Sequence, residues 1–228
     1  YGTVNMLLKQ SVEQLNTKNI NNKFIGKMLV TPDCITDFLS FITNDISDSK
    51  MISGNSIYKD SLNKKITDSK LTLHSMPISN QIDDGYYITG DGYIAQNLTI
   101  IDEGVLKSHL LGIYGANKLN STRALNDGGA LIVNPGDKTH NEIIKNIDKG
   151  ILLSRFSGGY PSANGDFSGV AKNSYYIENG EIKYPISETM VSGNIKKMFE
   201  NIDEISCDRI NFGTTILPWI LFNGITIS

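Results

Sequence analysis

Cysteine is nearly missing from this 228-residue chain: Cys34 and Cys207 are the only two, they stand far apart, and no C-x-x-C pair occurs. That count excludes a disulfide framework and fits a reducing compartment, with both thiols expected to be partly buried. Histidine is almost as scarce, with His74, His109 and His140 alone. A hydrolytic metal typically needs two histidines one helical turn apart, with a carboxylate beside them to activate water. None of the three has a second histidine within a turn. His140-Asn-Glu142 has the H-x-E spacing of zinc deaminases, but the P-C-x-x-C half of that motif is missing, so Glu142 is expected to cap a helix.

Other absences narrow the function classes further. With 24 acidic against 21 basic residues the formal charge is −3, and Lys64–Lys65 and Lys196–Lys197 are the only close lysine pairs. Phosphate binding needs clustered cations, so nucleic acid is not an expected partner. No run approaches the roughly 20 apolar residues of a membrane span, and no membrane partner is expected. The start, Tyr1-Gly-Thr-Val-Asn-Met, lacks the regions of a signal peptide, and its lack of an initiating Met leads us to expect a fragment of a longer protein. There is no G-x-S-x-G elbow and no Walker lysine after Gly128-Gly129, which leaves Ser157 and Ser168 as merely Gly-flanked serines.

What is present is an ordinary globular composition, 39% hydrophobic and 20% charged, enough for a buried core. Val4, Leu7, Leu8, Val12 and Leu15 recur at helical spacing and predict a helix packing one face on the body. Phe24 to Val30 reads as a buried strand. Thr31-Pro32 then opens a helix whose face carries Ile35, Phe38, Leu39, Ile42 and Ile46. Ser47 to Ser69 is polar and reads as an exposed, mobile excursion.

Asp102-Glu-Gly104 joins two strand-like runs, Tyr93 to Ile101 and Val105 to Ile113. Asn179-Gly180 joins Ser174–Glu178 to Glu181–Ile186 as a type I′ hairpin. Thr139-x-x-Glu142 is a capping box for a helix closed by Gly150, and Ile195, Met198, Phe199 and Ile202 mark another helix. The last segment, Asn211 to Ser228, is expected to form short strands broken by Pro218 and Asn223-Gly224. The fold class expected is α+β, a predominantly antiparallel β-sheet or barrel-like domain with several flanking helices.

The densest run of special residues is Gly158-Gly-Tyr-Pro-Ser-Ala-Asn-Gly-Asp-Phe-Ser-Gly169, read as an irregular loop across the sheet or as the wall of a peptide-binding site, where glycine lets another backbone come close. Continued as Gly165-Asp-Phe-Ser168, Tyr176-Ile-Glu-Asn-Gly180, Tyr184-Pro-Ile and Ser192-Gly-Asn194, it resembles the C-terminal signature of the TldD/PmbA peptidase family. Tyr114-Gly-Ala-Asn-Lys-Leu119, Ser121-Thr-Arg123, Pro135-Gly-Asp137 and Gly150-Ile-Leu-Leu are similar to the family as well, so the likeness covers nearly the whole of residues 1–228.

That resemblance carries its own expectations. The TldD branch bears an H-E-x-x-x-H zinc motif on a helix near the start of this region and a ligating cysteine near the end. Here the helix begins Thr31-Pro-Asp-Cys-Ile-Thr-Asp37, and Gly213-Thr-Thr215 stands where the cysteine would fall. The chain therefore resembles the metal-free PmbA branch, also called TldE. The resemblance implies a cytoplasmic, non-catalytic subunit with no cofactor of its own, paired with a zinc-bearing TldD-like subunit to process small or unfolded peptides such as microcin precursors or antitoxins. The family's N-terminal α/β domain would precede Tyr1. Gly165, Asp166, Ser168 and Asn194 are the candidate peptide-binding residues, the last also a candidate helix cap. Two alternatives stay open: an autonomous hydrolase using Ser168 or a dispersed metal site, and a structural or self-assembling domain, for which no peptide binding is expected even beside the TldD-like subunit; whether the isolated chain forms a homodimer stays open as well.

Overall fold

The computed structural model describes residues 2–20, 22–187 and 189–228. Helix α1 (Gly2–Glu13) is followed by β1 (Phe24–Val30), α2 (Pro32–Asp45) and the short α3 (Asp48–Ile52). Next come β2 (Leu73–Ser75), β3 (Leu98–Asp102), β4 (Val105–Leu106), α4 (Ile113–Leu119), β5 (Leu131–Val133) and α5 (His140–Lys145). The C-terminal half is mainly strand: β6 (Lys149–Leu153), β7 (Arg155–Gly158), β8 (Asp166–Lys172), β9 (Tyr175–Glu178), β10 (Glu181–Pro185) and β11 (Thr189–Asn194). It closes with α6 (Ile195–Glu200), β12 (Ile202–Asn211) and β13 (Ile216–Ile227).

The last segment is the spine of the sheet rather than a set of short strands. β13 runs for 12 residues and pairs with β1, β11 and β12 antiparallel and with β5 parallel. Pro218 has no N–H to give the ladder. Opposite it β12 shifts register between Ile205 and Arg209, and Ser206 Oγ accepts the Trp219 N–H at 2.9 Å. Asn223-Gly224 makes a bulge instead of a turn: Gly224 takes φ +79°, and the pairing with β1 slips between Gly26 and Met28 while the strand continues.

The sheet does not close into a barrel. Three branches leave β13: β1-β6-β9-β10, β5-β2-β3-β4, and β11-β8-β7. The branches end at β10, at β7 and at β4, whose outer side is bridged by residues 63–66: the Asn63 N–H donates to the Leu106 carbonyl at 2.7 Å and the Leu106 N–H to the Lys64 carbonyl at 3.0 Å. Two pairings, β1 with β6 and β13 with β5, are parallel within a mostly antiparallel sheet. In the first of these Gly150 is not a helix cap; a Cβ there would sit 2.3 Å from the Lys27 carbonyl oxygen, so glycine allows the close approach of β6 to β1.

Helix α2 fills the concavity. Ile35, Phe38, Leu39, Ile42 and Ile46 are fully buried, and each such side chain contributes about 1.5–3 kcal/mol relative to exposure. The Phe38 ring meets Phe156 of β7 at 5.1 Å and Phe167 of β8 at 5.6 Å between centroids, which ties the third branch to the spine through the helix.

Several local expectations need correction. The polar excursion at 47–69 is packed, not free: it holds α3, it buries Met51, Tyr58 and Ile66, and Asp45 Oδ2 accepts from Ser56 Oγ and the Ile57 N–H. Tyr114 to Leu119 is helix α4, so the hairpin after Gly104 has a second strand of only two residues. The α6 helix stops at Glu200, leaving Ile202 to begin β12. Helix α1 does not bury its apolar stripe: Val4, Leu7, Leu8, Val12 and Leu15 are all more than half exposed, and its C-terminal end is held by polar contacts such as Tyr175 Oη donating to Glu13.

Candidate functional site

The glycine-rich run is a hairpin, β7 to β8, with only residues 159–165 irregular. Phe156 and Phe167 alternate inward with exposed neighbours, which forces strand geometry on a stretch whose glycines read as loop. The turn closes on itself: Ser162 N–H donates to the Asp166 carbonyl, Gly165 N–H to the Ser162 carbonyl, both at 2.8 Å, and Asp166 N–H to Ser162 Oγ at 3.1 Å. Gly165 has φ +86°, a conformation glycine adopts freely, and its carbonyl accepts the Ile195 N–H at the start of α6.

Of the four residues singled out in the sequence, three meet here. Asn194 Nδ2 donates to the Asn164 carbonyl at 2.8 Å and to Asp166 Oδ1 at 2.9 Å, while its Oδ1 accepts the Lys197 N–H and caps α6. Asn194 thus positions the turn as well as capping the helix. Asp166 and Ser168 are exposed on the same face of β8, Ser168 opposite Ser192 of β11. Among the described residues no hydrogen bond links Ser168 Oγ to a histidine or a carboxylate, so the constellation a serine nucleophile requires is not assembled around it.

Beside this knot lies a cleft of about 480 Å³. Phe41 and Asp45 of α2, Lys50 of α3, Tyr58, Tyr160 and Ile195 line it, with Gly165 at one end. Tyr160 is exposed and meets the Phe41 ring edge-on at 5.9 Å. Tyr58 is buried, yet among the described residues its hydroxyl has no hydrogen-bond partner. Burial, with the charges of Asp45 and then Glu200 adding to it, pushes that phenol well above its ordinary pKa and keeps it protonated. No sequence signal marks this cleft, because its walls come from four separate stretches of chain.

The residues present do not fit a zinc ion. Helix α2 offers Asp33, Cys34 and Asp37 where the resemblance would call for histidines. Burial raises the Cys34 thiol far above its usual range, with Asp37 and Asp33 adding to it, so it stays protonated. Burial also raises the Asp37 carboxyl, with Asp33 adding and Arg155 opposing. Cys207 is exposed on β12, and Gly213 to Thr215 form the turn into β13. The histidines are engaged elsewhere: His74 with Thr99 and Asn134, His109 with the Tyr58 carbonyl, and His140 with the Asp208 carboxylate while stacked on Trp219 at 4.4 Å. Among the described residues no three His, Cys, Asp or Glu side chains form a group able to hold a metal ion.

Comparison with known proteins decides the family. Residues 26–228 match the model described as the PmbA/TldA metallopeptidase C-terminal domain. The chain belongs to this family. A relative named a metalloprotease PmbA homolog from Buchnera aphidicola subsp. Baizongia pistaciae is 28% identical over 96% of the chain and 52% of its own length. A solved structure from Bacteroides thetaiotaomicron, named as a candidate modulator of DNA gyrase, superposes with a TM-score of 0.89 at 27% identity over 97% of this chain and 50% of that one. TldE from Thermococcus kodakarensis has the same fold, with a TM-score of 0.84 at 18% identity, covering 100% of this chain and 55% of that one. This PmbA/TldA-family chain thus spans about half the length of the relatives it matches.

No helix among the described residues is long and apolar enough to cross a membrane. The Arg123–Asp91 pair that orders the loop before α4 went unnoticed in the sequence, although Gly90-Asp-Gly92 and Ser121-Thr-Arg123 contained both partners.

Proposed function

We propose that this chain is the metal-free member of a TldD/PmbA-type peptidase assembly: it helps to bind small or unfolded peptides and presents them to a zinc-bearing TldD-like subunit. The observation that carries the reading is the combination of family membership with an α2 helix that has Asp33, Cys34 and Asp37 and no histidine. A peptide would be held mainly by its backbone, because strand addition reads main chain and tolerates varied side chains. Among the described residues β7 pairs with no strand but β8, and its other edge, where the Phe156 N–H meets the Cys34 thiol, continues into the turn at 159–165; these supply that surface, with Gly165 giving close approach, Asp166 and Ser168 offering exposed polar contacts, and Asn194 holding the turn in shape.

Microcin precursors and antitoxins are the substrate class this reading favours, the cytoplasm its compartment, and an N-terminal domain preceding residue 1 the remainder of the subunit. The test is purification of the full-length protein from its native cells under non-denaturing conditions. Recovery with a relative that carries a complete H-E-x-x-x-H helix and stoichiometric zinc, and chelator-sensitive peptide cleavage only by the pair, is the expected result. Stoichiometric zinc in this subunit alone, with chelator-sensitive cleavage, overturns it.

A further inference from the structure

The cleft under Tyr160 has the composition of a selective subsite rather than of a packing defect. Its volume of about 480 Å³ falls in the range of small-ligand pockets, and Phe41, Ile57, Tyr160 and Ile195 give it apolar walls. Two polar side chains, Lys50 and Asp45, break those walls, and the hydroxyl of a further lining residue, Tyr58, is enclosed in them. Lys50 lines the cleft and forms no ion pair among the described residues, so its ammonium is available to an anion there. Asp45 has one carboxylate oxygen occupied by Ser56 and Ile57, and its Oδ1 accepts no hydrogen bond from a described residue. Tyr58 carries a buried hydroxyl with no partner among the described residues.

A buried, unpartnered hydroxyl in a folded protein calls for an explanation, and a polar group supplied from outside is one of the few available. The three groups have complementary chemistry: among the described residues they are a cation without an anion, an acceptor without a donor, and a donor without an acceptor.

We propose that this cleft binds the C-terminal residue of a peptide, with preference for an apolar side chain. The side chain sits among Phe41, Ile57, Tyr160 and Ile195. The free α-carboxylate pairs with Lys50 Nζ, Asp45 Oδ1 accepts a peptide N–H, and Tyr58 Oη donates to a peptide oxygen. The exposed Tyr160 ring, held only edge-on against Phe41, closes over the occupant. Residues 160–163 continue from β7, which among the described residues pairs with no strand but β8, so a peptide laid beside the end of β7 leads into the cleft. The ligand class rests on the peptide-handling function proposed above; the existence of the subsite does not.

The test is titration of the isolated chain with dye-labelled tetrapeptides that differ only at the C-terminus: Phe as free acid, Phe as amide, and Ala as free acid. The Phe acid is expected to bind about tenfold more tightly than the amide, the size of one charge-assisted contact, and more tightly than the Ala acid. Lys50→Gln should remove the acid-over-amide preference, and Tyr160→Ala the Phe-over-Ala preference. Tyr58→Phe should weaken the Phe acid several-fold without lowering the unfolding midpoint, because no described residue loses a hydrogen bond to its hydroxyl.

Equal binding of acid and amide, discrimination that survives Lys50→Gln, or no binding by any of the three peptides overturns the subsite. A lowered midpoint with unchanged binding in Tyr58→Phe removes that residue from it. Cleavage of the same peptides by the pair with the TldD-like subunit is read separately. End-selective binding without paired cleavage sinks the subunit role and spares the subsite, whereas paired cleavage without end selectivity does the reverse.

Discussion

Replacing Asp91 by alanine should remove more stability than any other single surface-proximal carboxylate. Arg123 donates from Nε to Asp91 Oδ2 at 2.7 Å and from Nη2 to Oδ1 at 2.6 Å, while its guanidinium lies 4.0 Å from the Tyr93 ring. Asp91 also accepts from Thr89 Oγ1 at 2.6 Å and from the Ile113 N–H that begins α4 at 2.9 Å. The pair lies close to the surface, yet both side chains are only 17% accessible. The Arg123 bonds, then the Thr89 bond, hold the Asp91 carboxyl well below the usual carboxylate range.

Asp91→Ala leaves Arg123 with the Ala124 carbonyl and Thr89 alone, and leaves the Ile113 N–H at the start of α4 without its acceptor. Discounted for solvent screening near the surface, the cost is about 3 kcal/mol, or about 6–12 °C in Tm for a chain of this size. The sign of the pH dependence follows from the lowered pKa. This stability is present above the unfolded carboxyl pKa of about 3.9 and is lost as pH falls through the folded value, so the gap between wild type and variant should shrink by about 1.2 kcal/mol from pH 5 to pH 3. Urea unfolding of both proteins at the two pH values measures it. A gap below about 0.5 kcal/mol at pH 5, or one that does not change at pH 3, refutes the account of this pair.

Three further outcomes are expected. In Gly115→Ala the new methyl would stand 1.9 Å from Asp48 Oδ1, driving away the carboxylate that accepts the Gly112 and Gly115 N–H groups. That should cost about 1–2 kcal/mol, whereas Gly159→Ala, with nothing within 4 Å, should stay within about 0.5 kcal/mol in the same thermal melts. Phe38→Ala should cost about 3–5 kcal/mol by denaturant titration, since the cavity opens between the helix and two strands at once. Asn194→Ala should cost about 1–2 kcal/mol and speed hydrogen exchange at the Gly165 and Asp166 amides; unchanged exchange there would mean the turn does not depend on that side chain.

Much of the local structure was legible because it is set by a few consecutive residues. Glu103-Gly104 and Asn179-Gly180 both adopt positive φ, as short hairpin loops demand, and the Thr139–Glu142 capping box forms with both of its hydrogen bonds. The buried face of α2 follows its apolar spacing. Of the candidate residues, Gly165, Asp166 and Asn194 meet at one turn, and Ser168 stands exposed on β8 with no histidine or carboxylate bonded to it among the described residues. Helix α4 was not legible, because its start is held by Asp48 and Asp91, which lie 64 and 22 residues from the N–H groups they cap.

By itself the sequence determined the turns, the apolar helix faces, and the absence of a histidine pair with metal-ligand spacing, since each depends on residue identity at short range. Only the tertiary structure decided that Ile216 to Ile227 is an unbroken spine with three diverging branches, that α1 presents its apolar stripe outward, and that Lys50, Tyr58, Tyr160 and Ile195 share one cleft. Those outcomes depend on which distant segments compete for the same edge or face, and no window of sequence short enough to read by period or turn type contains both competitors.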